Sequence, residues 1–378
     1  MVVKTGHSWI HLEKIVHNIL ISGGLSVGGP QTHITILIDL LLRSGAKITI
    51  ASASTNWRNF DISALRSSGV RVIVSPFGFG RWKLLGKIYS FLVWPILLRR
   101  DYDVLYCIGE GKMHLLASCF IVKNGVKIYH EIVESPKPRS SASMVASNMT
   151  MLIANSKSVA EDMGKSFPDI PIKTIPFLTS TRKMARRQNK VHSYNFLIRI
   201  AFLGRIVHHK RPDVLIDNWP ILCNDPHFLP ARLDLYGGDY GTPLITPLTE
   251  KINNMGLEKQ ICLHGDYHVN ALNEILGRTD LVVLPSEFEG LPLVLVEAML
   301  RGIPIVATSA GGCKELGNNN PDVIITEGTS WEMFASGLVT MVKMLRNGEI
   351  NSQRLQKWTE ERYGYDSVSE KWKSILVS

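Results

Sequence analysis

Short apolar runs, each closed by a turn and followed by a helix-period pattern, recur along this chain in two series. The first series has runs at 18–22, 47–51, 70–74, 103–107, 126–130 and 151–154, and the second at 197–203, 232–236, 261–263, 280–284 and 304–307. Joining one strand to a parallel neighbour takes a crossover of about a dozen residues or more, which a helix supplies. Alternation of this kind therefore predicts an α/β fold with parallel sheets. A polar stretch from Thr179 to Ser193, rich in Arg, Lys, Gln and Asn, separates the two series. Two Rossmann-like domains are expected: residues 1–180, a linker at 181–195 and residues 196–361, with a terminal helix over 362–378. A length of 378 residues is enough for two cores. The ligand cleft belongs at the carboxyl ends of the strands, where the domains face each other.

Hydrophobic residues make up 45% of the chain and charged residues 20%, which supplies apolar surface for both cores and excludes a disordered chain. The five cysteines (Cys107, Cys119, Cys223, Cys262 and Cys313) are scattered and lack zinc-site spacing, which fits a reducing compartment. Glu13, Lys14, His17 and Asn18 interrupt the opening, and no stretch reaches about 18 apolar residues, so a cytoplasmic location is expected. The formal charge of +9 is unevenly placed: residues 1–180 hold 20 Lys/Arg against 11 Asp/Glu, whereas residues 181–378 hold 22 of each. A basic first half suits an anionic partner: phospholipid, a lipid diphosphate or nucleic acid. Basic residues and large aromatics, among them Trp82, Tyr89 and Trp94, mix over Phe79 to Arg100. That stretch reads either as a peripheral contact with an anionic membrane face or as a core helix with a basic edge, and Pro95 argues against one continuous helix.

The segment with the most chemistry is Glu289-Gly-Leu-Pro-Leu-Val-Leu-Val-Glu297, two glutamates with seven residues between them, directly after the apolar run ending at Leu284. Pro292 suits the first turn of a helix running to about Arg301, with Gly302 and Pro304 as its stop. Gly290 and Leu291 would then present backbone N–H groups at a positive helix end, a cradle for phosphate. With Gly302-Ile-Pro-Ile-Val-Ala307 and Gly311-Gly-Cys-Lys-Glu315 behind it, this segment resembles the nucleotide-sugar site of the GT4-type retaining glycosyltransferases. The resemblance implies a GT-B fold, a nucleotide-sugar donor held by Gly290, Leu291, Pro292 and Leu293, the donor ribose on Glu297 and the donor sugar on Glu289.

Other segments fit the same resemblance. Gly204-Arg205-Ile-Val-His-His-Lys210, after the first run of the second series, is similar to the family's Gly-Arg-x4-Lys pattern, whose cations bind the donor diphosphate. Two fixed cations there would stabilise charge growing on a departing diphosphate without a metal ion. His208 and His209 read as surface residues. The glycine-rich loop from Gly23 to His33 includes Gly28 and Gly29, which the family places near the donor phosphate. His130, ending the run at 126–130, resembles the histidine beside the donor sugar; Asn155, Ser156, Gly237 and Gly238 match positions lining the cleft.

The resemblance favours front-face attack, in which the departing phosphate takes the acceptor proton, over a covalent intermediate. His130, Arg205, Lys210 and Glu289 are the expected catalytic set. Asp101-Tyr-Asp103 stands at the start of a run, the end away from the cleft, so no metal and no other cofactor are expected beside the nucleotide sugar. The first domain would take a glycan or lipid-linked acceptor, as in surface polysaccharide assembly, at the inner face of a membrane. A nucleotide-sugar epimerase or a phosphorylase could use the same cleft, though the chain has no pyridoxal-lysine signature. A nucleic-acid-binding protein is disfavoured because the second half is neutral and the basic and aromatic residues form no recognisable module.

Overall fold

The computed structural model describes residues 2–5, 8–11, 17–23, 29–52, 62–74, 92–97, 101–108, 122, 125–131, 148–179, 196–239 and 243–377. Strands β1 (Val2–Thr5) and β2 (Ser8–His11) form a short antiparallel pair. Neither strand stands out in the sequence, because four-residue stretches carry too little periodicity.

The first sheet is built from β3 (Asn18–Gly23), β4 (Lys47–Ser52), β5 (Arg71–Val74), β6 (Val104–Ile108), β7 (Val126–Glu131), β8 (Met151–Ala154) and β9 (Ile172–Thr174). All pairings are parallel, in the order β5-β4-β3-β6-β7-β8-β9. Ile19, Leu20 and Ile21 of the central strand are all buried, as expected for a strand covered on both faces. Helix α1 (Gly29–Arg43) lays Ile34, Leu37, Ile38 and Leu41 on one face of this sheet, a stripe of helical period. Short helices α2 (Ile62–Ser67) and α3 (Trp94–Leu97) follow, and α4 (Lys157–Ser166) starts directly after β8 with Ser156 as its N-cap.

The second sheet contains β10 (Ile198–Leu203), β11 (Ala231–Tyr236), β12 (Ile261–Gly265), β13 (Leu281–Leu284), β14 (Ile305–Thr308) and β15 (Val323–Thr326), again all parallel, in the order β12-β11-β10-β13-β14-β15. Its crossovers are α5 (Pro212–Asp217), α6 (Trp219–Cys223), α7 (Ile245–Asn254), α8 (Leu272–Arg278), α9 (Leu293–Met299) and α10 (Cys313–Leu316), and α11 (Trp331–Arg346) follows β15. In both sheets the strand order reverses beside the first strand, β3 or β10, which opens a crevice at the strands' carboxyl ends.

Helices α12 (Ser352–Tyr363) and α13 (Tyr365–Leu376) close the chain. Leu355 of α12 packs in the core of the second sheet, and Gln356 donates from Nε2 to the Leu300 carbonyl at 2.9 Å. After Gly364 the chain crosses over. Tyr365, Val368, Trp372 and Leu376 of α13 join the core of the first sheet, and the Trp372 indole N–H donates to the Pro176 carbonyl at 3.0 Å. Each such apolar side chain, fully buried, stabilises by about 1.5–3 kcal/mol, so α13 fastens the two halves together.

Candidate functional site

The loop after β10 carries the first group of predicted residues. Gly204 donates its N–H to the Tyr236 carbonyl at 3.0 Å, and Ile206 donates to the Gly238 carbonyl at 2.8 Å. Gly237 backs this loop so closely that a Cβ on it would stand 1.8 Å from the Gly204 oxygen. Gly237, with φ +151°, can therefore be only glycine there. The loop leaves the Arg205 side chain exposed and turns Lys210 inward across the Gly204 backbone. Arg211 takes the left-handed conformation at φ 55° and donates to the Thr329 carbonyl, a structural role that separates it from Lys210.

Lys210 Nζ lies 2.5 Å from Glu289 Oε1, and both side chains are nearly buried, 12% and 10% exposed. Glu289 is held independently, since Ser286 donates its hydroxyl to the same oxygen at 2.7 Å and Thr308 in turn donates to the Ser286 carbonyl at 2.5 Å. His209, read from sequence as a surface residue, ties the two loops together. Its carbonyl accepts from Glu287 N–H at 2.8 Å, and its ring stacks on Phe288 with centroids 4.6 Å apart. Burial, with Lys210 nearby, lowers its pKa. Nothing in the spacing of a His-His pair distinguishes such a spacer from a solvated one.

Helix α9 begins one residue later than expected, with Pro292 as its N-cap at φ −71° and ψ 111°. Its last regular residue is Met299, after which Leu300 and Arg301 continue as a turn. Gly302, at φ +73°, ends it where a Cβ would stand 2.7 Å from the Ser352 carbonyl oxygen. The start of α9 meets the start of α1: a Cβ on Gly29 would lie 3.3 Å from Leu293 Cδ1. Two helix starts thus converge from opposite domains, and the positive ends of their dipoles favour an anion beside them. Glu297 lies within α9, 6% exposed, and burial raises its carboxyl pKa to about 7 against a smaller opposing effect of Arg301. Gly28 lies outside the described residues.

The domains also touch through the Gly311-Gly312 turn. Gly312 donates its N–H to the Gly290 carbonyl at 2.6 Å, and a Cβ on Gly312 would stand 2.6 Å from Ser156 Cβ. Three residues on, Glu315 Oε1 accepts from Lys157 N–H at 2.5 Å and the carboxylate also takes the Ser158 N–H. A carboxylate from the second domain therefore caps the first turn of α4 in the first domain. Burial raises the Glu315 pKa, partly offset by those two amides. Glu315→Ala is expected to weaken the closed arrangement by about 1 kcal/mol, the scale of one cap. Small-angle scattering should show a larger radius of gyration for the variant, with secondary structure unchanged.

His130 stands one residue before the end of β7 and is fully buried. Its Nδ1 lies 2.6 Å from Tyr106 Oη, which lies 3.1 Å from His33 Nε2, and His33 Nδ1 accepts from Leu178 N–H at 3.1 Å. Burial depresses both histidines: His130 to about 3, and His33 well below its usual range, with His130 adding a smaller effect. Trp372 covers the group, its ring centroid 5.3 Å from that of His130 and 4.7 Å from that of His33. Sequence reading found His130 alone; its partners come from α1, β6 and α13, and no local spacing links them.

Asp103 stands at the start of the first sheet, its carboxylate accepting from Asn18 N–H at 2.7 Å, so it is a structural cap remote from the strands' carboxyl ends. Among the described residues one group, Asp234, Cys262 and His264, has metal-ligand geometry. Its charge is already matched, since Asp234 Oδ1 takes Arg232 Nε at 3.1 Å and His264 Nε2 at 2.8 Å. No described helix is long and apolar enough to cross a membrane. Of the basic aromatic stretch only residues 92–97 are described, with Leu92 and Ile96 exposed, and the expected linker at 181–195 lies outside the described residues.

Residues 185–358 match the family model "Glycosyl transferases group 1". D-inositol 3-phosphate glycosyltransferase of Rhodococcus erythropolis is 31% identical over 145 residues, 38% of this chain, and the match spans only 33% of that relative's length. The protein of the same name from Corynebacterium urealyticum is 28% identical over 354 residues, 84% of this chain and 83% of the relative. Among solved structures, Anabaena HepE in complex with UDP and glucose superposes with a TM-score of 0.72 at 18% identity, covering 95% of this chain and 99% of HepE. A glycosyltransferase from Rickettsia africae gives a TM-score of 0.75 at 16% identity, covering 96% and 98%. Two parallel α/β sheets fastened by a returning terminal helix are thus the GT-B fold, and the second domain is the part that matches the group 1 glycosyl transferase model.

Proposed function

We propose that this chain moves a sugar from a nucleotide-diphosphate sugar to an acceptor hydroxyl, with retention at the anomeric carbon and without a metal ion or other cofactor. The observation that carries the reading is Lys210, fixed 2.5 Å from Glu289 on a glycine-backed loop beside the start of α9. Arg205 and Lys210 bind the donor diphosphate between the converging starts of α1 and α9, with Gly28, Gly29, Gly290, Leu291, Pro292 and Leu293 around the phosphates. Glu297 accepts from the ribose hydroxyls, and Glu289 and His130 face the sugar. As the bond from the anomeric carbon to the phosphate oxygen breaks, charge develops on the diphosphate beside the two cations. The acceptor hydroxyl gives its proton to that oxygen and attacks from the same face.

The names of similar proteins support this reading. HepE binds UDP and glucose, S. aureus TarM has been seen with UDP and α-GlcNAc-glycerol, and a relative in Agrobacterium fabrum is a mannosylfructose-phosphate synthase. UDP is thus the first nucleotide to try. The division into 1–180, 181–195 and 196–361 leaves the acceptor, a glycan or a lipid-linked sugar, to the basic first domain. That charge and the exposed Leu92 and Ile96 support peripheral contact with an anionic membrane from the cytoplasmic side.

The test is incubation with UDP-glucose, UDP-N-acetylglucosamine or GDP-mannose in EDTA, with phosphorylated polyols and polyprenyl-linked sugars as acceptors, and assignment of the product anomer by NMR. An α-linked product from an α-linked donor is expected. A β-linked product would contradict retention, and turnover only after adding magnesium would contradict the metal-free mechanism.

A further inference from the structure

The hydrogen bonds that lead to His130 have a fixed direction. Leu178 offers a backbone N–H, which can only donate, so the His33 Nδ1 that receives it at 3.1 Å carries no proton. Neutral His33 then carries its proton on Nε2 and donates to Tyr106 Oη at 3.1 Å. Having accepted there, the Tyr106 hydroxyl has its own hydrogen left to place. Among the described residues the one acceptor in reach is His130 Nδ1, at 2.6 Å. His130, kept neutral by burial, is left with its proton on Nε2, and that buried nitrogen has no partner among the described residues. The opposite assignment, with the proton on His130 Nδ1, would aim two donors at the Tyr106 oxygen and leave the phenol hydrogen without an acceptor.

We propose that Tyr106, oriented by His33 and the Leu178 amide, is a positioning residue that locks His130 in its Nε2–H form, so that His130 serves the site only as a hydrogen-bond donor. In that form Nδ1 is occupied and Nε2 already carries a proton, so His130 cannot act as a general base. It selects a ligand oxygen with a lone pair to offer, such as a hydroxyl or carbonyl oxygen of the donor sugar, and this last step rests on the glycosyltransferase reading. Trp372 lies edge-on to Tyr106 and tilted against His130, and all three side chains are fully buried, so ordering of the terminal helix and the state of His130 are linked.

The tautomer can be read in the free protein by 15N NMR of histidine-labelled chain, which depends on no substrate. Native His130 should show an unprotonated Nδ1 and a protonated Nε2, and Tyr106→Phe, which keeps the ring and removes the hydroxyl, should show a mixture of the two neutral forms. A native His130 with the proton on Nδ1 overturns the proposal, and this holds even if the variant does not fold. A single unchanged tautomer in folded Tyr106→Phe also overturns it. With whichever of UDP-glucose, UDP-N-acetylglucosamine or GDP-mannose is turned over, the variant should lose about tenfold in kcat/KM, the worth of one neutral hydrogen bond, with the Kd for the free nucleotide unchanged. An equal loss in nucleotide affinity would indicate general distortion and count against the proposal. Failure of all three donors to react would count against the proposed function while the tautomer result stands.

Discussion

Replacing Lys210 with alanine is expected to lower kcat/KM for sugar transfer by about 10²–10³-fold, the range seen when one preorganised electrostatic group is removed from a site. Binding of the free nucleotide diphosphate should weaken much less, because the charge that Lys210 meets is greatest when the glycosidic bond is breaking. The neighbourhood sharpens the expectation. Glu289 is buried and, among the described residues, takes Lys210 and Ser286 at Oε1, so Lys210→Ala leaves a nearly buried carboxylate without that cation. Glu289→Gln in the same chain removes that charge. If the pair acts as a unit, the double variant should be far less impaired than the product of the two single losses. Steady-state kinetics of the four proteins decides this. A loss of affinity as large as the loss of kcat/KM, with kcat unchanged, would make Lys210 a ground-state contact only.

The second large effect is in the pH dependence set by Glu297. Burial raises its carboxyl from 4.5 to about 7, so the folded protein disfavours the carboxylate more than the unfolded chain does. For a group raised in the folded state, the contribution to stability is complete below the unfolded value and is lost as pH rises through the folded one. Between pH 4.5 and 7 the native protein should therefore lose stability relative to Glu297→Gln, by at most about 3 kcal/mol from this group. Denaturant unfolding of both proteins at pH 4.5 and 8 reads the difference. Ribose hydroxyls donating to the carboxylate would favour its ionised form, so nucleotide affinity should climb by up to about tenfold per unit as pH rises towards 7. Glu297→Gln should flatten that part of the slope, and a slope identical in both proteins would remove Glu297 from the nucleotide site.

The sheets were legible in the sequence wherever a strand is covered on both faces. The apolar runs at 18–22 and 280–284 coincide with central strands β3 and β13, whose inner residues are buried whichever way they point. Strand β9 escaped notice because it is a three-residue edge strand with mixed burial, which leaves no run to see, and the apolar run of the edge strand β15, Val323 to Ile325, is itself only three residues long. Glu289 and Glu297 stand out in the sequence as candidates because both lie in one loop and the helix that follows it. The approach of Gly29 to Leu293, and the capping of α4 by Glu315, join residues more than a hundred positions apart, so they appear only once both sheets are folded. The same holds for His33 and Tyr106. Each reads alone as a core residue on its own element, and the directed hydrogen bonds they make exist only in the packed first domain.

The most direct test is calorimetry of the purified protein against UDP and against GDP in EDTA, repeated with Arg205→Ala and Glu297→Ala. One nucleotide is expected to bind at micromolar concentration without metal, and each substitution to abolish the binding while leaving the fold intact. If neither nucleotide binds at millimolar concentration, or if binding survives both substitutions, the cleft between α1 and α9 is not a nucleotide-sugar site.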